Sequence, residues 1–173
     1  MSEIRSIGLT YIKLGDIAED GGMGTSLTAL GVTYRDSADF IQDDPEINNI
    51  FSEENDDPEE TIETEGVKRV KWSIMNYDPD TLIRVLGGTS TGVAPNKIWS
   101  APAAKDPIEL SIEILTKKNI KIQIPRAHIA AKINWAFRRN GVALVDIIAT
   151  VLTPTKSGTA KVTVQNVEDL PES

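Results

Sequence analysis

Histidine is the side chain best suited to proton transfer near neutral pH, and this chain has only one, His128. It stands between Ala127 and Ile129 in the strand-like stretch Arg126 to Ala136, and no Gly-x-Ser-x-Gly elbow occurs to present a serine to it. That setting suits a structural or surface histidine. A zinc site has still less support, because one His and no Cys do not fill the usual ligand set. The lack of cysteine also removes disulfides, iron–sulfur clusters and thiol nucleophiles. Gly21, Gly22, Met23, Gly24, Thr25 and Ser26 resemble a phosphate cradle only superficially. They lack the Gly-Lys-Ser/Thr that opens a phosphate-loop helix and the third glycine of a dinucleotide fingerprint. Gly87, Gly88, Thr89 and Ser90 fail in the same way, so both stretches read as turns.

Carboxylates are abundant and, unlike the other polar groups, concentrated in one place. Asp43, Asp44, Glu46, Glu53, Glu54, Asp56, Asp57, Glu59 and Glu60 fall within one segment that contains no basic residue. Their spacing does not match a calcium-binding EF-hand loop. Paired carboxylates could in type serve glycoside hydrolysis, but such a site adds exposed aromatic platforms. The chain has few aromatics, and alternation assigns Trp72 and Tyr34 to the core. A solvated surface or an assembly arm is the expected role, since long charge runs are usually interaction segments. The basic residues Lys68, Arg69, Lys71, Lys117, Lys118, Lys121, Arg126, Lys132, Arg138 and Arg139 are scattered and lack the interleaved aromatics of a nucleic-acid groove. They suit instead an electrostatic partner for a neighbour's acidic arm. No catalytic residue, metal site or cofactor is expected.

The elements that would position any such site read as β-strands. Ile4 to Leu14 alternates, with Ile7, Leu9 and Tyr11 as its apolar face. Asp16 to Gly31 is expected as an ordered glycine-rich loop, and Val32 to Gln42 as a strand with a small-residue centre. The acidic arm, 43–60, follows as an exposed or mobile loop. Thr61 to Met75 then alternates with Val70, Trp72 and Ile74 pointing inward. Asn76 to Gly88 carries the one helix: Asp78 as N-cap, Pro79 first, Leu82, Ile83, Val85 and Leu86 as its stripe, and Gly87 or Gly88 as its stop. After a turn-rich connection, Thr89 to Asn96, come strands at Lys97 to Ala101, Glu109 to Lys117, Ile120 to Ile124, Arg126 to Phe137, Val142 to Leu152 and Ala160 to Gln165. Turns are expected at Lys117 to Asn119 and at Asn140-Gly141. The tail, 166–173, is expected to fray.

At 173 residues with 40% apolar and 25% charged residues, the chain is expected to form a single domain over 1–173. The fold class is mainly β: an antiparallel β-sandwich or partly closed barrel with one short helix, about 78–87. No stretch reaches the roughly 20 apolar residues of a membrane-spanning helix, so no membrane insertion is expected. Met1 to Thr10 lacks the continuous apolar core of a secretory signal, making synthesis in a cytosol the default. The net charge of −8 argues against a tight nucleic-acid binder.

The order of features, a first strand, a glycine-rich loop, a long acidic insertion, one helix and a β-meander, resembles phage major tail tube proteins. Three strings carry the resemblance: Gly15-Asp16-Ile17-Ala18-Glu19-Asp20-Gly21-Gly22-Met23-Gly24-Thr25; Lys71-Trp72-Ser73-Ile74-Met75-Asn76-Tyr77-Asp78-Pro79-Asp80-Thr81-Leu82; and Ile148-Ala149-Thr150-Val151-Leu152-Thr153-Pro154-Thr155. The resemblance implies a structural virion protein, a β-sandwich subunit forming hexameric rings stacked into a hollow tail tube for DNA passage. Its partners would be further copies of itself and tail proteins such as the tape measure and tail completion proteins, with DNA only as passing cargo. It would be made in the bacterial host cytoplasm and end in the virion tail of a phage or prophage. The family's long early loop packs onto a neighbouring subunit or ring. The acidic arm occupies the matching place and is expected to order on assembly. Two alternatives stand beside this reading: the tube subunit of a type VI secretion or contractile injection apparatus, and a carbohydrate-binding or adhesin-type β-sandwich module.

Overall fold

Alternating apolar residues that favour strands dominate the chain, and the computed structural model, which describes residues 8–76 and 78–167, is accordingly 52% strand and 5% helix. The elements are β1 (Leu9–Gly15), β2 (Thr28–Ala29), β3 (Asp39–Gln42), β4 (Glu46–Ser52), β5 (Asn55–Thr64), β6 (Lys68–Ile74), α1 (Pro79–Leu86), β7 (Thr89–Thr91), β8 (Ile98–Ser100), β9 (Ile108–Thr116), β10 (Ile120–Trp135), β11 (Ala143–Val151) and β12 (Thr163–Asn166). Eight strands make one antiparallel sheet in the order β2-β1-β9-β10-β11-β6-β3, with β12 added beside the first part of β10. The sheet does not close into a barrel. Two hairpins, β4–β5 and β7–β8, form separate two-stranded sheets.

The core lies on one face of the large sheet and under α1. Val70, Trp72 and Ile74 of β6 point into it as their alternation requires, beside Val145, Ile147 and Ala149 of β11 and Leu110, Ile112 and Ile114 of β9. Each such side chain contributes roughly 1.5–3 kcal/mol by leaving water. The inward positions of β10 change phase at Pro125: Ile122 and Ile124 lie on the core side before it, and Ala127, Ile129 and Ala131 after it. A bulge between Ile124 and Ala127 absorbs the change, so what alternation divides into two strands is a single bent strand of 16 residues.

The helix forms where its end signals place it. The Asp78 side chain accepts from the Asp80 amide, Pro79 stands in the first turn, Leu82 and Val85 are buried, and Gly87 stops the helix with φ 80°. Asn119 supplies a left-handed residue (φ 58°) between β9 and β10, and its amide donates to Thr116 O at 3.1 Å.

Several expectations are corrected. In β1 the buried residues are Ile12 and Leu14 rather than the face of Leu9 and Tyr11, because a bulge between Leu9 and Tyr11 resets the register against β9. Ile7 of that face, Met1 to Ile7 of the N-terminal stretch, Tyr77 and residues 168–173 of the expected tail lie outside the described residues. Asn166, placed in the tail by sequence, closes β12. The strand expected over Val32 to Gln42 is broken by a left-handed Asp36 (φ 59°), so only β3 and an isolated bridge at Thr33 remain. Tyr34 is exposed rather than in the core. Thr89 to Thr91, expected as connection, pairs with β8. Thr61 to Thr64 belongs to β5, and the acidic segment, exposed as expected, is not a loop but the hairpin β4–β5, with register shifts on either side of Phe51.

Candidate assembly surfaces

Nine carboxylates in eighteen residues should resist strand formation, yet the pairing register removes the worst repulsion. Glu46 faces Thr64, Ile47 faces Glu63, Asn48 faces Ile62, Asn49 faces Thr61, Ile50 faces Glu60 and Phe51 faces Pro58. No carboxylate in these pairs stands directly opposite another, so the cross-strand repulsion that would oppose pairing is avoided along them. The Thr61 hydroxyl donates to Asn49 Oδ1 at 2.9 Å, tying the middle of the hairpin together.

The root of this arm is fixed. The Asp43 amide donates to Val67 O at 2.9 Å, Asp43 pairs with Arg69, and Glu65 pairs with Lys68. The lysine holds the Glu65 carboxyl below the usual carboxylate range. Gly66 is packed so tightly that an added Cβ would lie 1.9 Å from Asp43 O. Beyond the root the situation reverses. Ile47, Ile50, Phe51 and Ile62 are exposed, β4 is exposed up to Phe51 and β5 throughout, and the two strands pack mainly on each other. All nine carboxylates singled out by sequence are on this arm or its root, from Asp43 and Asp44 through Glu46, Glu53, Glu54, Asp56 and Asp57 to Glu59 and Glu60. The exposed Ile47, Ile50, Phe51 and Ile62 on the same strands are the part of the surface that charge counting overlooks.

Among the described residues, the large sheet leaves two flanks incompletely paired. β2 covers only Lys13 and Leu14 of β1, and β3 pairs with β6 on one side alone. Between these flanks runs a groove of about 1090 Å³ lined by β1 residues, by Val32 to Asp36 and by Phe40, with Val70, Ile114 and Ile122 at its floor.

The other sequence candidates resolve into structural roles. His128 stands in register with Glu109 on the sheet, and Glu109 is bridged by Arg126 through bonds of 2.8 and 2.9 Å that hold its carboxyl below the ordinary range. The glycine-rich loop is pinned to the sheet: the Gly24 amide donates to Ser111 Oγ at 2.9 Å, and that hydroxyl donates to Pro125 O at 2.7 Å. Asp20 accepts from Lys156 at 2.7 Å and from the Gly22 amide at 2.9 Å, which holds its carboxyl below its usual value. Gly21 lies against Thr155 and Lys156 with φ 83°, so no side chain fits there. Two of the three strings that carry the resemblance thus meet in space. The third joins them through Asn76, whose amide group donates to Leu30 O at 2.8 Å at the end of the same loop. Among the described residues no cluster of three or more His, Asp or Glu is arranged to hold a metal ion, and no helix is long and apolar enough to cross a membrane.

No protein-family model matches the chain, and no curated protein sequence is significantly similar to it.

Proposed function

We propose that the chain is the repeating subunit of a phage-type tail tube, acting by self-assembly and not by catalysis. The observation that carries this reading is the acidic hairpin β4–β5, rigidly rooted by two ion pairs and a backbone hydrogen bond yet uncovered along its exposed apolar residues. A lone two-stranded hairpin is at best marginally stable in water, and burying Ile47, Ile50, Phe51 and Ile62 on a second copy supplies what it lacks. The open flanks of β1 and β3 suit lateral pairing, in which the sheet of one protomer continues into the next and the contacts close into a ring, hexameric in the family it resembles. Rings stacked through the arm make a hollow tube, with DNA passing as cargo and tape measure and completion proteins meeting its ends. In this reading the arm acts as a preformed strand pair, so assembly costs less ordering than a disordered arm would require. The tube of a secretion or injection apparatus would use the same surfaces.

A second reading draws on the groove, where Tyr34 and Phe40 stand exposed beside Arg35, Asp36 and Asp39. Aromatics beside carboxylates suit an extended glycan, as in an adhesin module. Negative-stain electron microscopy across a concentration series, with and without residues 43–60, separates the two. Rings or hollow tubes that vanish with the deletion support the tube subunit. A monomer at every concentration, indifferent to the deletion, removes it and favours the groove ligand.

A further inference from the structure

Strand register fixes where the arm stands relative to the other end of the sheet. The arm leaves at the Gln42–Lys68 pair. On β11, Arg69 of β6 pairs with Thr150 and Ile74 pairs with Val145, while Trp135 of β10 pairs with Ala143. The loop joining β10 to β11, residues 136–142, therefore caps the opposite end of the sheet. β6 alone separates the two ends by ~20 Å at ~3.3 Å per residue.

That loop has the composition of a binding spot. Phe137 is 89% exposed and stands edge-to-face on Trp135 with ring centroids 6.5 Å apart. Arg138 and Arg139 are exposed beside it, and the ion pairs among the described residues use other cations. The loop is not slack: the Gly141 amide donates to Arg138 O at 3.0 Å, and a Cβ on Gly141 would meet Ala136 O at 2.9 Å. An exposed aromatic flanked by two arginines on a fixed turn is the residue mixture that dominates interface energetics.

Resting on the tube-subunit reading, we propose that this loop receives the acidic hairpin of the next copy, with Phe137 against the apolar patch around Phe51 and with Arg138 and Arg139 facing Glu53 and Glu54. The charges are complementary, both surfaces are uncovered, and they lie at opposite ends of one chain. Such a contact is heterologous, and each copy that engages a neighbour leaves one free arm and one free loop to continue the stack. The arm's charge then does two jobs: it keeps arms apart from one another and steers each toward the basic loop.

The test uses the full chain, with self-association followed by sedimentation velocity and electron microscopy in low and moderate salt. R138E/R139E raises the concentration needed for assembly by roughly tenfold or more, and E53K/E54K does the same. Both pairs of substitutions in one chain restore assembly, because the charges again oppose. Circular dichroism melting confirms that each variant folds, as expected for exposed side chains. R138E/R139E assembling at the wild-type concentration, or the combined variant recovering nothing, overturns the loop as receptor while leaving the tube reading intact. A wild-type chain that never associates, even in low salt, overturns both.

Discussion

Replacing Gly66 with alanine tests whether the arm's direction, and not merely its presence, drives assembly. The new Cβ would lie 1.9 Å from Asp43 O and 2.6 Å from its carbonyl carbon, so the two chains at the root must separate by ~1.5 Å to reach ordinary contact. Across a strand spacing of ~4.8 Å that opening tilts the hairpin by ~17°, and over the ~23 Å length of a seven-residue strand it carries the tip about 7 Å sideways. Side-chain contacts tolerate far less. The cost to the fold falls at the root, where the clashing atoms are backbone and must give way. The hydrogen bond from the Asp43 amide to Val67 O contributes about 1 kcal/mol, and the exposed Arg69–Asp43 pair contributes about 0–1 kcal/mol. The expected outcome is a chain destabilised by ~1–3 kcal/mol in urea that still folds, yet assembles poorly when followed by light scattering and electron microscopy. Normal tubes at the wild-type concentration would refute the idea that a fixed root aims the arm. A loss of stability far beyond this range would instead place the root inside the cooperative core.

Ser111→Ala removes a buried hydroxyl that accepts from the Gly24 amide and donates to Pro125 O, leaving both backbone groups without it. The expected loss is ~1–3 kcal/mol in denaturant unfolding, with faster hydrogen exchange across residues 16–27. Burial and the Glu113 carboxylate, which accepts from the Tyr11 hydroxyl at 2.7 Å, push the Tyr11 pKa up from 10.0 to about 12. A raised pKa in the fold means a contribution that is full below pH 10 and is lost as pH rises toward 12. Tyr11→Phe should therefore flatten the alkaline limb of the stability profile over that window, and an unchanged limb would remove the pair as its cause.

Where the sequence was informative, one local cause was enough. Asp78, Pro79 and Gly87 mark the helix because capping depends on neighbouring residues, and Val70, Trp72 and Ile74 declare an inward face because that strand is paired on both sides. Where the reading failed, the cause was non-local. The bulge in β1 exchanges its expected face for Ile12 and Leu14, and nothing in Leu9 to Leu14 specifies a register set by β9. The bulge at Pro125 was half visible, as the phase change between Ile124 and Ala127, but a proline there reads as a break until strands on both sides hold it in line. The arm was legible in composition and illegible in conformation. Its charge run suggests an unstructured loop, and only the cross-strand register shows how carboxylates can alternate with Ile47, Ile50, Phe51 and Ile62.

That register also explains why charge and exposed apolar surface coexist on one element. Were the arm acidic alone, it would stay soluble and bind little. Were it apolar alone, it would pair with any exposed strand edge, including its own copies. Placing Ile50 opposite Glu60 and Ile47 opposite Glu63 keeps an apolar residue and a carboxylate within each contact. A docking surface must then offer both an apolar patch and a cation to gain from the encounter. Another arm offers an apolar patch with carboxylates beside it and no cation, whereas the Phe137 loop, with Arg138 and Arg139, offers both at the far end of the sheet. In the proposed assembly, selection against arm–arm pairing and for arm–loop pairing would thus come from one arrangement, and the direction of stacking would follow from the two features occupying opposite ends of the same strands.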